Sequence, residues 1–311
     1  MDIPYLSEAD LAALGLTTLE MVGAIEDVIA KSAQGSVWAA PKAVIVPPVG
    51  SRYMMAALAA MDGPSLLAVK TVVLNPANSE QGLPQINGLV TMLDSQTGRP
   101  AAILDGNWIT AVRTAALSAT AARRMARKDA RVIGFVGTGV QARSHLDAFA
   151  ELFPLTELRM FGRGQANKDI LRAKAESMGL SVEDCASGQE VVESVDLLVT
   201  TVTHTGGAAP FLDARGLRPG SFAAVVDLAA PWLRDSFGAL GRVVIDDLAQ
   251  EAALPNKLCD PAHVAGDLSG LVLGKLSGRA DEDEANAFVF RGHALGDLAV
   301  SALALERHRA A

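Results

Sequence analysis

The run Gly137-Thr138-Gly139-Val140-Gln141-Ala142 follows the apolar stretch RVIGFV and leads into a helix-forming segment. This is GxGxxA spacing, the pattern of a turn that cradles a dinucleotide. Gly137 permits the tight turn, Gly139 lets the backbone approach a pyrophosphate, and Ala142 lets the helix lie close to the strand, with its first N–H groups facing the phosphates. Glycine turns of this spacing are common, and it is the position at the first strand of an alternating run that points to a nucleotide. The next strand, ELRMF, ends in Gly162-Arg163-Gly164, where an NAD site expects a carboxylate for the ribose 2′-hydroxyl. Arg163 suits a 2′-phosphate instead, so the charge leans to NADP, although NAD is also bound without the acid. Thr200, Thr201, Val202 and Thr203 close VDLLVTTVT, where an open α/β sheet keeps its ligand crevice. The threonine hydroxyls either serve a ribose or finish a strand.

A second set of charged residues stands in or beside apolar segments. Lys70 lies in LLAVKTVV, Arg113 in AVRTAA and Lys42 in PKAVIV, while Asp227 follows an apolar strand in VVDLAAP. Such cations can bind an anionic group, and a carboxyl can hold or release a proton. Taken singly, each has a plainer reading: Lys70 as a snorkelling edge residue, Arg113 as a helix-surface charge, Asp227 as a strand-end cap.

These residues need a scaffold. Ser7 to Gln34 has helical periodicity, with Ser7 and Thr18 as N-caps. From Pro41 short apolar runs divided by Pro, Gly, Asn and Asp predict an antiparallel or mixed sheet. Thr110–Arg127 is a connecting helix, after which strands and helices alternate as in a parallel α/β sheet. The acidic DEDEANAF run at 281–288 reads as a solvated helix start, and Ala294–His308 as a last helix returning to the first unit. The fold class is therefore α/β: a Rossmann dinucleotide-binding domain at 121–294, plus an α+β sheet domain at 1–120 completed by 295–311.

Composition narrows the partners. The 311 residues are 50% hydrophobic and 20% charged, with 27 basic and 35 acidic residues and a net charge of −8. That balance disfavours nucleic acid or an anionic membrane as the main partner. The N-terminus lacks the basic end and apolar stretch of a signal peptide, and no apolar run is long enough to span a bilayer, so a cytoplasmic location is expected. Cys185 and Cys259 lie far apart and read as buried thiols. His145, His204 and His263 show no shared ligand spacing, so no metal site is expected.

Beyond these readings, the chain resembles the ornithine cyclodeaminase/mu-crystallin family over nearly its full length. The resemblance lies in NPANSEQGLPQINGLVTMLDSQTGRPAAILDG (75–106), ITAVRTAALSATAA (109–122), GFVGTGVQARSHLDAF (134–149) and VVDLAAP (225–231). It implies a sheet domain that dimerises and supplies the substrate pocket, beside a Rossmann domain that brings NAD(P). It implies that Lys70, Arg113 and Lys42 bind the substrate carboxylate, that Arg113, with Thr114 beside it, also serves the cofactor, and that Asp227 is the catalytic acid/base. The implied reaction is reduction of a 2-imino acid to an L-amino acid by hydride from NAD(P)H; a cyclodeaminase and a non-catalytic ligand-binding protein are the alternatives. Two departures bear on substrate. Ala57 stands where ornithine cyclodeaminases carry an acid for the distal amine. Arg52, and Arg291-Gly292-His293 near the last helix, add cationic or imidazole groups that suit a second carboxylate, as in iminosuccinate.

Overall fold

The computed structural model describes residues 3–48, 52–203 and 209–311. The chain divides into two units, Met1–Ala116 with His293–Ala311, and Leu117–Gly292.

The first unit opens on β1 (Tyr5–Leu6), α1 (Glu8–Ala13) and α2 (Thr18–Ala33). The predicted helical region is thus two helices, broken where Gly15 turns with φ +61°. Each helix starts in a capping box, Ser7 with Asp10 and Thr17 with Glu20, so Thr17 and not Thr18 caps α2. The strands are β2 (Val37–Ala39), β3 (Ala43–Ile45), β4 (Tyr53–Met61), β5 (Leu66–Leu74), β6 (Ile86–Leu93) and β7 (Pro100–Asp105). They pair in the order β1-β7-β6-β5-β4-β2, with β3 also on β4, and all ladders are antiparallel except β1 with β7. The C-terminal helix, Ala294–Ala310, packs on α2, β4 and β5. It covers the sheet face that carries Ala57, Ala59, Leu66, Ala68, Lys70 and Val72, all buried. α3 (Gly106–Met125) begins in this unit and ends in the next.

The second unit alternates as predicted: β8 (Val132–Val136), α4 (Val140–Ala150), β9 (Glu157–Phe161), α5 (Gln165–Ser177), β10 (Ser181–Asp184), β11 (Leu197–Thr200) and β12 (Phe222–Val225). It continues with β13 (Arg242–Ile245), β14 (Val264–Asp267) and β15 (Asn286–Val289). All pair in parallel in the order β10-β9-β8-β11-β12-β15-β13-β14. The first five strands reproduce the doubly wound Rossmann order, in which the crevice opens beside the first strand at its carboxyl end. One expectation is overturned. The acidic run at 281–284 is an irregular turn, and the residues after it form β15, fully buried between β12 and β13. Asn-Ala-Phe-Val is an apolar tract that the sheet takes as a strand, and its one polar side chain is anchored at one end, where Asn286 Nδ2 donates to the Met125 carbonyl at 3.3 Å.

Candidate active site

In the second unit, β8 leads into Gly137 at φ +95°, a conformation that favours glycine. A Cβ there would stand 2.7 Å from the Thr201 carbonyl oxygen, so the loop is closed against the end of β11. Two bonds hold it: Gly137 N–H donates to the Phe161 carbonyl at 2.9 Å, and Thr201 Oγ1 donates to the Gly137 carbonyl at 3.1 Å. Gly139 then caps α4 with no side-chain bond, and a Cβ built on it would meet nothing within 4 Å. A helix N-terminus with open space in front of it fits a pyrophosphate. Ala142 is fully buried, as close packing of the helix requires, and Val140 and Gln141 form its first turn. Behind the loop, Thr138 is buried against Gly162, where a Cβ would come within 2.8 Å of its Oγ1. Arg163 is exposed at the end of β9, and no carboxylate stands beside it in sequence. Nearby, Arg143 Nη1 donates to Asn167 Oδ1 at 3.4 Å, on the first turn of α5.

Asp227 lies just past β12 and is buried. Its carboxylate accepts from Thr200 Oγ1 at 3.1 Å and from Val202 N–H at 3.0 Å. Trp232 Nε1 in turn donates to Thr200 Oγ1 at 3.2 Å. The Thr200 hydroxyl thus links Asp227 to Trp232, and the Thr201 hydroxyl braces the glycine loop. The two residues after Asp227, Leu228 and Ala229, both have positive φ, 59° and 55°, a conformation that costs non-glycine residues roughly 1–2 kcal/mol each. Burial raises the Asp227 carboxyl to about 7, against the lowering pull of its hydrogen bonds to Val202 and Thr200. It is thus poised to hold or release a proton near neutrality.

In the first unit, Lys70 is only 1% exposed at the middle of β5, a central strand, which removes the edge-residue reading. Its Nζ donates to Asp297 Oδ1 at 2.7 Å, and Arg113 Nε on α3 pairs with the same oxygen at 2.9 Å. Burial, then the charge of Arg113, push the Lys70 amine down to about 7, while Asp297 pulls it back up. Burial also disfavours ionised Asp297, but Arg113 and Lys70 outweigh that and hold its carboxyl below the usual range. Lys42 is half-buried and contributes its field to both Lys70 and Asp297. Thr114, next on α3, is buried. Ala57 on β4 is the register partner of Lys70 and is buried too, so no acid faces the lysine from that strand.

Asp297 was missed by sequence reasoning. Its only sequence signal is one acid on the first turn of a helix, which ordinarily reads as a favourable dipole contact. The second-carboxylate candidates disperse. Arg291 is held by Glu251 at 2.6 Å and by the Asn256 carbonyl, because a guanidinium only 15% exposed needs a buried counter-ion. His293 is the N-cap of the C-terminal helix, its Nδ1 accepting from Leu295 N–H at 3.1 Å. Arg52 is exposed just before β4. Both cysteines are buried free thiols, pushed up to about 11 chiefly by burial. His204 lies outside the described residues, and among those described no cluster of three His, Cys, Asp or Glu side chains is arranged to hold a metal ion.

Comparison with known proteins adds to this geometry. The profile of the ornithine cyclodeaminase/mu-crystallin family matches residues 6–311. The chain is 30% identical to ketimine reductase mu-crystallin of Mus musculus, over 76% of this chain and 74% of that protein. It is 26% identical to a delta(1)-pyrroline-2-carboxylate reductase of Bacillus cereus, over 79% and 78% of the two. Among solved structures, the Thermococcus litoralis delta(1)-pyrroline-2-carboxylate reductase, in complex with NADH and L-proline, shares the fold at a TM-score of 0.88 and 24% identity, covering 99% of this chain and 98% of that one.

Proposed function

The chain belongs to the ornithine cyclodeaminase/mu-crystallin family, and from that premise we propose that it is an NAD(P)-dependent oxidoreductase that reduces a 2-imino acid to the L-amino acid and runs in reverse as an amino acid dehydrogenase. The observation that carries the reading is the buried pair Lys70 and Arg113, two cations with a single carboxylate between them. Lys70 and Arg113 carry one more charge than Asp297 balances: two positive charges face one negative one. A substrate carboxylate supplies the balance, and neutralising it makes the adjacent C=N carbon a better electrophile. In the other unit, Gly137, Thr138, Gly139, Val140 and Gln141 would hold the pyrophosphate, with Arg113 and Thr114 as further cofactor contacts; the bound nicotinamide supplies the hydride. Asp227, held near its midpoint at neutral pH, keeps the imine nitrogen protonated while the carbon accepts hydride, and takes that proton in the reverse direction.

Two finer readings rest on single arginines. Arg163, without a neighbouring carboxylate, favours a 2′-phosphate and hence NADP. A dicarboxylic substrate such as iminosuccinate now rests on Arg52, since Arg291 and His293 are engaged within the fold. The apolar face of the first unit's sheet supports a homodimer.

The test is a panel of 2-keto acids with ammonia or methylamine, each run with NADH and with NADPH, following loss of reduced-nicotinamide absorbance. Turnover with at least one imino acid is expected, with NADPH preferred. A strong oxaloacetate signal would support the dicarboxylate reading, and preference for pyruvate or a cyclic imine would remove it. Ammonia release from ornithine without net change in nicotinamide, or tight NADPH binding with no turnover across the panel, would overturn the reductase.

A further inference from the structure

The substrate-side cluster holds one group that the proposed reaction leaves unused. Asp297 sits on the first turn of the C-terminal helix, and its side chain is 5% exposed. One oxygen, Oδ1, takes both the Lys70 ammonium and the Arg113 Nε. An ammonium at 1% exposure beside a guanidinium is in an unstable electrostatic position: desolvation and like charge both favour loss of its proton. The cation that cannot lose a proton is Arg113, so the strain falls on Lys70. Among the described residues, three charged groups act on Lys70. Arg113 comes from α3, Asp297 from the C-terminal helix and Lys42 from the segment before β3. Across the ladders, Ala57 on β4 and Val90 on β6 add no charge. Tyr53, further along β4, feels Arg113, but its phenol is pushed up by burial and stays neutral. Asp297 is thus the one anion among these groups, acting on a pair that otherwise repels.

We propose that Asp297 is a positioning residue for substrate binding, which holds Lys70 beside Arg113 and favours its ammonium form, so that the pair keeps its grip on a carboxylate to higher pH than it would without Asp297. The same placement sets what is bound. With Asp297 satisfied by one hydrogen bond from Lys70 and one ion pair from Arg113, each cation keeps other N–H donors for a ligand. A neutral side chain at 297 would leave the cations unpaired and let Lys70 discharge. A merely structural Asp297 would instead stabilise the helix packing, with an effect independent of pH.

The inference rests on the carboxylate-binding role proposed above for Lys70 and Arg113, and the test keeps the two apart. Wild type, Asp297→Asn and Asp297→Glu are compared by kcat and KM for the best imino acid of the panel between pH 5.5 and 9, with folding checked by circular dichroism and thermal melting. If wild type shows no turnover, the proposed function fails and not this inference alone. Given wild-type turnover, the Asn variant is expected to lose the alkaline side of its kcat/KM profile. The limb falls at least one pH unit lower, so the deficit is at least about fivefold greater at pH 8 than at pH 6 and lies mainly in KM. The Glu variant, which keeps the charge on a longer arm, is expected to keep the wild-type limb within half a unit, even if kcat/KM drops throughout. A deficit in the Asn variant that is equal at every pH, or a Glu variant whose limb moves as far as that of Asn, overturns the proposal. Should the Asn variant not fold, the Glu profile alone decides, since a shifted limb with the charge retained contradicts it.

Discussion

At Asp227 the chain has placed an ionisable group where water cannot stabilise it, and has paired it with donors that are themselves fixed. Thr200 is fully buried and Trp232 holds its hydroxyl, so the carboxylate cannot reorient without breaking a chain of bonds. With the carboxyl raised to about 7, the protonated form dominates below that pH and the ionised form above it. Reduction of an imine needs the nitrogen protonated, so its rate is expected to fall as pH rises through about 7, while the reverse dehydrogenation rises over the same range. Asp227→Asn should lower kcat by about a hundredfold or more, in line with the usual worth of a positioned acid/base, and flatten this pH response. NADPH affinity, measured by fluorescence titration, should stay within severalfold of wild type. Unchanged turnover in the Asn variant would remove Asp227 from the mechanism. Much at this scale was legible in the sequence, because Lys70, Arg113 and Asp227 stand in distinctive local patterns. Asp297 was not, since its meaning comes from two partners more than 180 positions away and not from its neighbours.

Between elements, the glycine loop depends on how α4 is held. Ser118 on α3 bonds His145 Nε2 at 2.9 Å, and His145 Nδ1 reaches the Gln141 carbonyl at 2.7 Å. A carbonyl only accepts, so Nδ1 carries the proton and Nε2 accepts from the serine hydroxyl: the imidazole is neutral. Burial pushes it down to about 4, against the raising effect of its bond to Gln141. Folded His145 resists protonation while the unfolded chain protonates near 6.5, so its contribution to stability is complete above 6.5 and is lost as pH falls towards 4. The loss approaches roughly 3 kcal/mol in the limit, using about 1.4 kcal/mol per pH unit. The difference in unfolding free energy between wild type and His145→Gln should therefore shrink steadily as pH is lowered from 7 to 4.5 in urea titrations. A constant difference would mean that the histidine matters only for packing. The sequence exposed the glycine loop and the alternating elements, yet carried no sign of this link. A lone histidine on an apolar helix face bears no mark of which partner it will find. The expectation at β15 failed for a related reason: four acidic residues read locally as a helix start, whereas the sheet needed a short apolar strand between β12 and β13.

For the whole molecule, the net charge of −8 says little about where two copies would meet, because it hides both the buried cations and an uncharged surface. One face of the first unit's sheet is covered by the C-terminal helix. On the other face, register places Trp38, Ile45, Leu58, Val73 and Leu89, which are 51%, 63%, 39%, 41% and 42% exposed. Between them, alternate positions of β4, β5 and β6 add Met54, Ala56, Leu67, Val69 and Thr91, and none of the positions that these three strands place on that face is charged. Such a patch is unusual on a monomer and resembles half of a core. In the sequence, LLAVKTVVL is apolar on both alternations but for Lys70 and Thr71, which is the pattern of a strand covered on both faces, although only the resemblance named a second copy as the cover. If the face is a self-association surface, light scattering should report twice the 32.3 kDa chain mass at micromolar concentration. Leu58→Glu with Val73→Glu would place two carboxylates per copy in a dry interface, and at a several-kcal/mol desolvation cost should weaken association by at least about a hundredfold. High salt should not restore association, because the penalty is loss of hydration rather than long-range repulsion. A monomeric wild type, or a double variant that remains dimeric, would leave this face without the proposed occupant.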